Sequence, residues 1–421
     1  MLRDPDLPPG HDPAGGPLRP PQGLFRRVRR VGAVVAVALA LLAGGVWLGG
    51  HPEGLPTGVR DVLVGDEDTR VIDEALRTIA DRYYAEVDPA DLADDAIAGA
   101  VESLDDRFSA YFSPKEYRQF QEVQNSEFSG VGLVVSPHPS GLRVVEVYDG
   151  TPASRAKLAP ADVIVAVEGR ALKGVKQQAA TDRIKGPPGT DVTITVSRDG
   201  KRRDYTLTRA RVNVPVVASR IRTVDGVKVG IINLAQFSSG AHAEVYAAIR
   251  KVQKQGAKGL VFDLRRNGGG LVSEAQLIAS AFLPDGPIVT TRGRSVPTRT
   301  LSATGDPVAE DIPLVVLVDG DTASASEIVA GALQDRDRAE VVGAKTFGKG
   351  VFQEVIELSN GGALDITAGQ YFTPDGRNLG GKGVSQGAGI TPDVKVKDDP
   401  KTKPDEALNR ALSELRAKTT S

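Results

Sequence analysis

LVFDLRRNGGGLVSEAQLIASAF, residues Leu260–Phe282, decides the fold class. Leu260–Leu264, apolar but for Asp263, reads as a buried strand. The glycine run Gly268–Gly270 breaks the chain, and Val272–Phe282 then reads as a helix. The same alternation flanks this stretch. Strand Val227–Leu234 and helix Ala241–Gln255 precede it; strand Leu314–Val318 and helix Ser326–Gln334 follow it. Strands alternating with helices argue an α/β layer built on a largely parallel sheet. In such sheets chemistry sits at the carboxyl ends of the strands. Thr346–Tyr371 reads instead as antiparallel β.

Upstream, Ser126–Val212 has the short strands and turns of a β-rich module. Val131–Val135, Leu142–Val147 and Asp162–Val167 are strands, and Asp199-Gly200 joins Val192–Val196 to Tyr205–Leu207 as a hairpin. Before it, Val71, Ile72, Ala75, Leu76, Ile79 and Tyr83 share one helix face, and Leu92, Ala96, Ala100 and Leu104 another. The class is therefore α/β and multidomain: an α/β core with an added antiparallel region, an inserted β-rich module and a small N-terminal helical region. The expected divisions are a disordered tail 1–30, an apolar anchor 31–50, a linker 51–66, the helical region 67–125, the β-module 126–212, the core 213–396 and a polar tail 397–421 with one short helix.

Arg26, Arg27, Arg29 and Arg30 precede Val31–Leu48, a run without a charge. As a helix it would rise roughly 27 Å, near the ~30 Å hydrocarbon core. Arginines before it set the N-terminus in the cytoplasm. The expectation is a single-pass cell-membrane protein with its bulk on the extracytoplasmic side; a cleaved signal peptide is the alternative.

Cysteine is absent, which excludes a thiol nucleophile, thiolate metal ligands and disulfides. The net charge of -2 offers no basic field for nucleic acid. The four histidines are His11, His51, His138 and His242, so few are available as a base.

Three clusters carry chemistry. In VLVDGDTASASEIVAGALQD (Val316–Asp335) a strand ends at Asp319 and a helix begins near Ser324. Ser324-Ala325-Ser326-Glu327 fits a capping box, the plainer reading of this stretch alone; it is also compatible with a nucleophile at a helix N-terminus, where Ala325's N–H faces a developing oxyanion. In KTFGKGVFQ (Lys345–Gln353), Lys349 lies between two glycines. A turn lysine in solvent is one reading. The other is a base lowered by burial from ~10.4, with Gln353 as its hydrogen-bond partner. A phosphate loop is argued against, because Gly350 stands where Ser or Thr should hold Mg²⁺. In DLRRNGGGLV (Asp263–Val272), three glycines expose N–H groups for a second oxyanion donor.

Together these clusters resemble the C-terminal processing peptidases, also called tail-specific proteases, over roughly Val71 to Val396. The resemblance implies a serine endopeptidase with Ser324 as nucleophile, ahead of Ser326, Lys349 as base and Gln353 beside it. It implies oxyanion donors at Ala325 and Gly269, no cofactor and no metal. Ser126–Val212 is similar to the family's inserted PDZ domain, with Gly130, Val131, Gly132 and Leu133 holding a substrate's terminal carboxylate. The implied partners are protein substrates bound by their C-termini, the membrane through the N-terminal helix, and no nucleic acid; a homo-oligomer or an adaptor protein stays open. Ala161 replaces a usual glycine, and Ile184-Lys185-Gly186 stands where members often carry Ile-Arg-Gly. LDDRFSAYFSP (Leu104–Pro114) carries Asp106 and Arg107 in place of Pro and His, which implies a change in packing only. A catalytically silent PDZ adaptor is the competing class.

Overall fold

A computed structural model describes residues 67–381, 383–398 and 404–419. The chain divides between Ala93 and Asp94 into two units. In chain order, α1 (Glu67–Arg82), α2 (Pro89–Glu102), β1 (Ala110–Phe112) and α3 (Pro114–Gln124) come first. Next are β2 (Glu127–Gly130), β3 (Leu133–His138), β4 (Gly141–Val147), α4 (Pro152–Arg155), β5 (Val163–Val167) and β6 (Arg170–Ala171). Then come α5 (Gln177–Ile184), β7 (Asp191–Arg198), β8 (Lys201–Thr208), β9 (Ala210–Asn213), β10 (Val217–Val224) and β11 (Val227–Leu234). They are followed by α6 (Ala241–Lys254), β12 (Gly259–Asp263), α7 (Val272–Ser280), β13 (Pro287–Gly293), β14 (Arg299–Ser302) and β15 (Leu314–Val318). The series ends with α8 (Ala325–Asp335), β16 (Glu340–Gly343), β17 (Val351–Glu357), β18 (Ala363–Phe372), β19 (Val394–Lys395) and α9 (Glu406–Thr419).

The central sheet has the order β10-β11-β12-β15-β16-β19. β10 is antiparallel to β11 and the other pairs are parallel, as the alternation of strands and helices requires. Every residue of β12 and β15 is buried, because both faces of the sheet are covered. Phe262 and Val316 point into one core with Val245, Ile278 and Ile328 from α6, α7 and α8 and with Phe282, just past α7. Val261, Val315 and Leu317 point the other way, onto Leu408, Leu412 and Leu415 of α9. The segment expected as a polar tail thus supplies the second cover. Its three leucines recur at helical spacing and its charges face outward.

A second sheet, β3-β4-β5-β7-β8 with β6 on β5, encloses its own core of Val131, Leu142, Ile164, Val192 and Ile194. Its β7–β8 turn has φ 52° at Asp199 and 77° at Gly200, the left-handed pair an Asp-Gly hairpin turn requires. β3 is an edge strand there. Ala161 adopts φ 74°, a left-handed conformation that a glycine would take without strain.

The third sheet is antiparallel, with β1, β13 and β17 pairing β18. Through β1 the segment around Ser109 joins the strand that carries Asp365 and Thr367; Ala110 is registered with Asp365. In the first unit, α1 leaves Val71, Ile72 and Ile79 exposed.

The membrane expectation requires correction. Among the described residues no helix is long and apolar enough to cross a membrane. The longest, α1, has 16 residues, is rich in Asp, Glu and Arg, and falls short of the ~20 apolar residues a span requires. The expected anchor Val31–Leu48 lies outside the described residues. The single-pass, cell-membrane localisation is withdrawn.

Candidate active site

Ser324 is the residue between the β15 turn and α8, with φ 54° and ψ -118°. A non-glycine residue held there stores about 1–3 kcal/mol of strain, which the surrounding packing must hold in place. Ser326, the rival, is fully buried and its Oγ donates to the Asn267 carbonyl at 2.9 Å. That hydroxyl is committed to structure. Ala325's N–H has no acceptor among the described residues, and it opens the first turn of α8.

The glycine turn after β12 lies against this residue. A Cβ on Gly269 would come within 2.8 Å of the Ala323 carbonyl and of Ser324 Cβ, and within 2.9 Å of the Ala325 nitrogen. With φ 102° besides, only glycine fits. Gly269's own N–H donates to Asn267 Oδ1 at 2.9 Å in this arrangement. Asn267 is itself fixed, its Nδ2 donating to the Leu234 carbonyl at 2.8 Å.

Lys349 precedes β17. Its Nζ donates to Gln353 Oε1 at 2.7 Å and lies 5.0 Å from the centre of the Phe108 ring. Burial pushes its ammonium below the usual lysine range; Asp365, Asp106 and Glu327 pull the other way. Asp365 is pushed up to about 6, by burial first, while the Lys349 charge opposes the shift and Asp106 adds to it. His242 and His138 lie elsewhere: His242 Nδ1 pairs with Glu274 at 2.9 Å, and His138 Nδ1 accepts from the Ser140 N–H.

Glu327 joins the two halves. Its Oε2 accepts the backbone N–H of Ser324 at 2.9 Å and that of Lys349 at 3.0 Å. Its Oε1 accepts the Gly348 N–H at 2.7 Å and the Thr346 hydroxyl at 2.5 Å. The side chain is fully buried. Burial raises its pKa, and the four donors counter that shift. The capping-box reading of Glu327 was therefore correct for the Ser324 N–H and missed the three bonds to the lysine segment. Asp106, Phe108, Ser109, Asp365 and Thr367 were also missed as neighbours of Lys349. Only their place around the third sheet brings them there.

In the β-rich module, the N–H groups of Val131 and Gly132 have no acceptor among the described residues. Gly132 has φ 88°, and a Cβ there would meet Thr151 at 2.3 Å. Val131 borders a cavity of about 460 Å³ lined by Gly130, Leu133, Val135, Ile184 and Lys185. A second cavity of about 330 Å³ borders Gly268–Gly270 and shares Val123, Ala235 and Gln236 with the first. Lys185 Nζ donates to Glu122 Oε2 at 3.2 Å.

An α/β core with a PDZ-type sheet inserted before it, and a serine at a strand–helix turn, define a serine-type peptidase with a peptide-binding domain. The chain matches the model of peptidase family S41 over residues 228–396, that of a PDZ domain over 124–208 and that of the activating protease CtpB N-terminal domain over 57–116. It is 37% identical over 329 residues to a carboxy-terminal-processing protease of Bartonella bacilliformis, covering 77% of this chain and 73% of that one. A carboxyl-terminal-processing protease of Synechocystis is 39% identical over 294 residues, 69% of each chain. Among solved structures, the photosystem II D1 C-terminal processing protease aligns at 31% identity and a TM-score of 0.46, covering 80% of this chain and 90% of that one. The chain belongs to the carboxy-terminal processing proteases of peptidase family S41.

Glu327→Gln puts an NH2 donor where four donors converge. At least one N–H or O–H is then left unpaired, at about 1–3 kcal/mol. The variant should unfold at lower urea than the parent and lose peptidase activity under conditions where it is still folded by circular dichroism.

Proposed function

We propose that this serine-type C-terminal processing peptidase cuts its substrates with a Ser324–Lys349 dyad, after its PDZ domain has engaged their free C-termini. The observation that carries the reading is the Glu327 carboxylate, which ties the backbone N–H of Ser324 and that of Lys349 to one oxygen. The expected divisions, a PDZ domain 126–212 and a peptidase core 213–396, belong to this reading.

Ser324 Oγ attacks the scissile carbonyl carbon as its proton passes to the neutral Nζ of Lys349. The charge that develops on the carbonyl oxygen is met by the Ala325 N–H. The second donor is Gly269, once its N–H leaves Asn267 Oδ1. Lys349 then gives the proton to the departing amine as the C–N bond breaks. Water enters and loses a proton to the same lysine while attacking the acyl-enzyme; the acyl C–Oγ bond then breaks as Lys349 returns that proton to Ser324 Oγ, releasing the new carboxyl terminus. Gln353 keeps Nζ in place. Desolvation of Lys349 supports the base role, since a lysine with an ordinary pKa is almost wholly protonated near neutrality. The committed hydroxyl of Ser326 supports Ser324 as the nucleophile.

Recruitment uses the free N–H groups of Val131 and Gly132, with Gly130 and Leu133 framing the loop. The substrate tail adds as a strand to the β3 edge, and its last side chain enters the apolar cavity beside Ile184. The shared wall of Val123, Ala235 and Gln236 supports a continuous path from this groove to the glycine turn.

Ser324→Ala should abolish cleavage of an unstructured peptide. Lys349→Arg cannot deprotonate at accessible pH and should be nearly as inactive as Lys349→Ala, a loss of roughly 10²–10⁴ in kcat. Because the lysine pKa is lowered, parent activity should rise with pH through a midpoint below the usual lysine range and then level off. A folded Lys349→Arg variant with parental kcat would remove lysine from the mechanism. Separately, amidating a substrate's C-terminus should lower kcat/KM; equal rates for acid and amide would contradict recruitment while leaving the dyad standing.

A further inference from the structure

A line of polar groups runs from Lys349 to a carboxylate that the dyad does not use. Lys349 Nζ donates to Gln353 Oε1 at 2.7 Å, and Gln353 Nε2 donates to Thr367 Oγ1 at 3.0 Å. Thr367 Oγ1 is 3.5 Å from Ser109 Oγ. The Thr367 N–H donates to Ser109 Oγ at 3.0 Å, and the Ser109 hydroxyl donates to Asp106 Oδ2 at 2.6 Å. Asp106 also accepts the Phe108 N–H at 2.9 Å. Burial would raise the Asp106 pKa, but the Ser109 and Thr367 side chains and the nearby backbone hold it below the usual carboxylate range. It is therefore ionised and only accepts.

Its polarity propagates. An acceptor at Asp106 takes the Ser109 proton and turns the Thr367 hydroxyl proton toward the same side. Thr367 Oγ1 is then left to accept from Gln353, so the amide must present Nε2 to Thr367 and Oε1 to Lys349. The opposite amide orientation would aim an N–H at Lys349 and occupy the lone pair of the neutral amine.

We propose that Asp106, acting through Ser109 and Thr367, fixes which end of the Gln353 amide faces Lys349 and so keeps the amine lone pair free for Ser324. Asp106, Ser109 and Thr367 are positioning residues. This rests on the Ser324–Lys349 reading above. The charged groups facing Lys349 are Asp106 from the segment before β1, Asp365 from β18 and Glu327 from α8; a change at Thr367 removes none of these carboxylates and takes one side-chain donor from Asp106.

Steady-state kinetics across pH tests the proposal, with Thr367→Val, Ser109→Ala, Thr367→Ser and Lys349→Arg run beside the parent. Valine keeps the shape and removes the acceptor. Gln353 is then free to turn, which withdraws the carbonyl from the ammonium and offers an N–H to the neutral amine. Both effects favour the neutral form, so the rising limb of kcat should move to lower pH. Plateau kcat should fall on the order of tenfold to a hundredfold, part of the general-base contribution, with KM unchanged. Ser109→Ala should shift the limb the same way by less and serves if the valine variant misfolds. Thr367→Ser restores the hydroxyl and should restore the parental limb. A limb that stays in place in a folded Thr367→Val, whatever its kcat, overturns the proposal alone. An active Lys349→Arg overturns the dyad, and this proposal with it.

Discussion

One buried carboxylate holds the Ser324 and Lys349 turns together. Glu327 has no solvent to accept from, so its charge depends on four donors from two distant turns. Two of those donors are the backbone amides of Ser324 and Lys349. Moving either turn leaves a buried charge short of a partner, which is far costlier than the loss of an ordinary surface contact. The strained φ of Ser324 persists for the same reason. Ser324's N–H is tied to Glu327, its neighbour Ala323 donates to the Asn267 carbonyl at 3.1 Å, and Gly269 closes over both.

The environment of Lys349 is a balance between two tendencies. Burial disfavours its ammonium, and three carboxylates favour it. Burial is the largest cause, so the lysine is lowered, but the acidic neighbours limit the shift. Asp365 responds in the opposite sense, raised to about 6 by the same burial. The antiparallel sheet makes this arrangement possible. β1 sets Ala110 opposite Asp365 and leaves Ser109 at the strand entrance beside Thr367, while β17 carries Gln353 into register with Thr367. Residues more than 250 positions apart thereby share one polar cluster.

Much of this was legible in the sequence, for reasons that are local. Leu314–Val318 and Leu260–Phe262 are apolar on both faces because helices cover both sides of the sheet, and a continuous apolar run records that directly. Asp199-Gly200 names its own hairpin. Ser324, Lys349 and the Gly268–Gly270 turn follow recognisable local patterns. What escaped is what depends on long-range contact. Glu327 reads locally as a helix cap, and nothing near it announces Thr346 or Gly348. Asp106 and Ser109 lie in a segment that suggests packing alone, and Thr367 is one polar residue in an alternating strand. The leucine stripe of α9 was overlooked because the surrounding Lys and Asp residues dominate its composition. The glycine run suggests a free N–H at Gly269; that N–H is bonded to Asn267, a side-chain contact two residues away that spacing does not reveal.

The central claim is that a serine at the Ser324 turn is activated by a lysine kept neutral through burial. The pH dependence of labelling by a serine-directed fluorophosphonate, with the modified residue located by peptide mapping, tests it most directly. The account predicts that the label falls on Ser324 and that the labelling rate climbs to a plateau through a midpoint below the ordinary lysine value of ~10.4. Label on another serine, or a rate on Ser324 that does not level off until the pH passes that ordinary value, would contradict it.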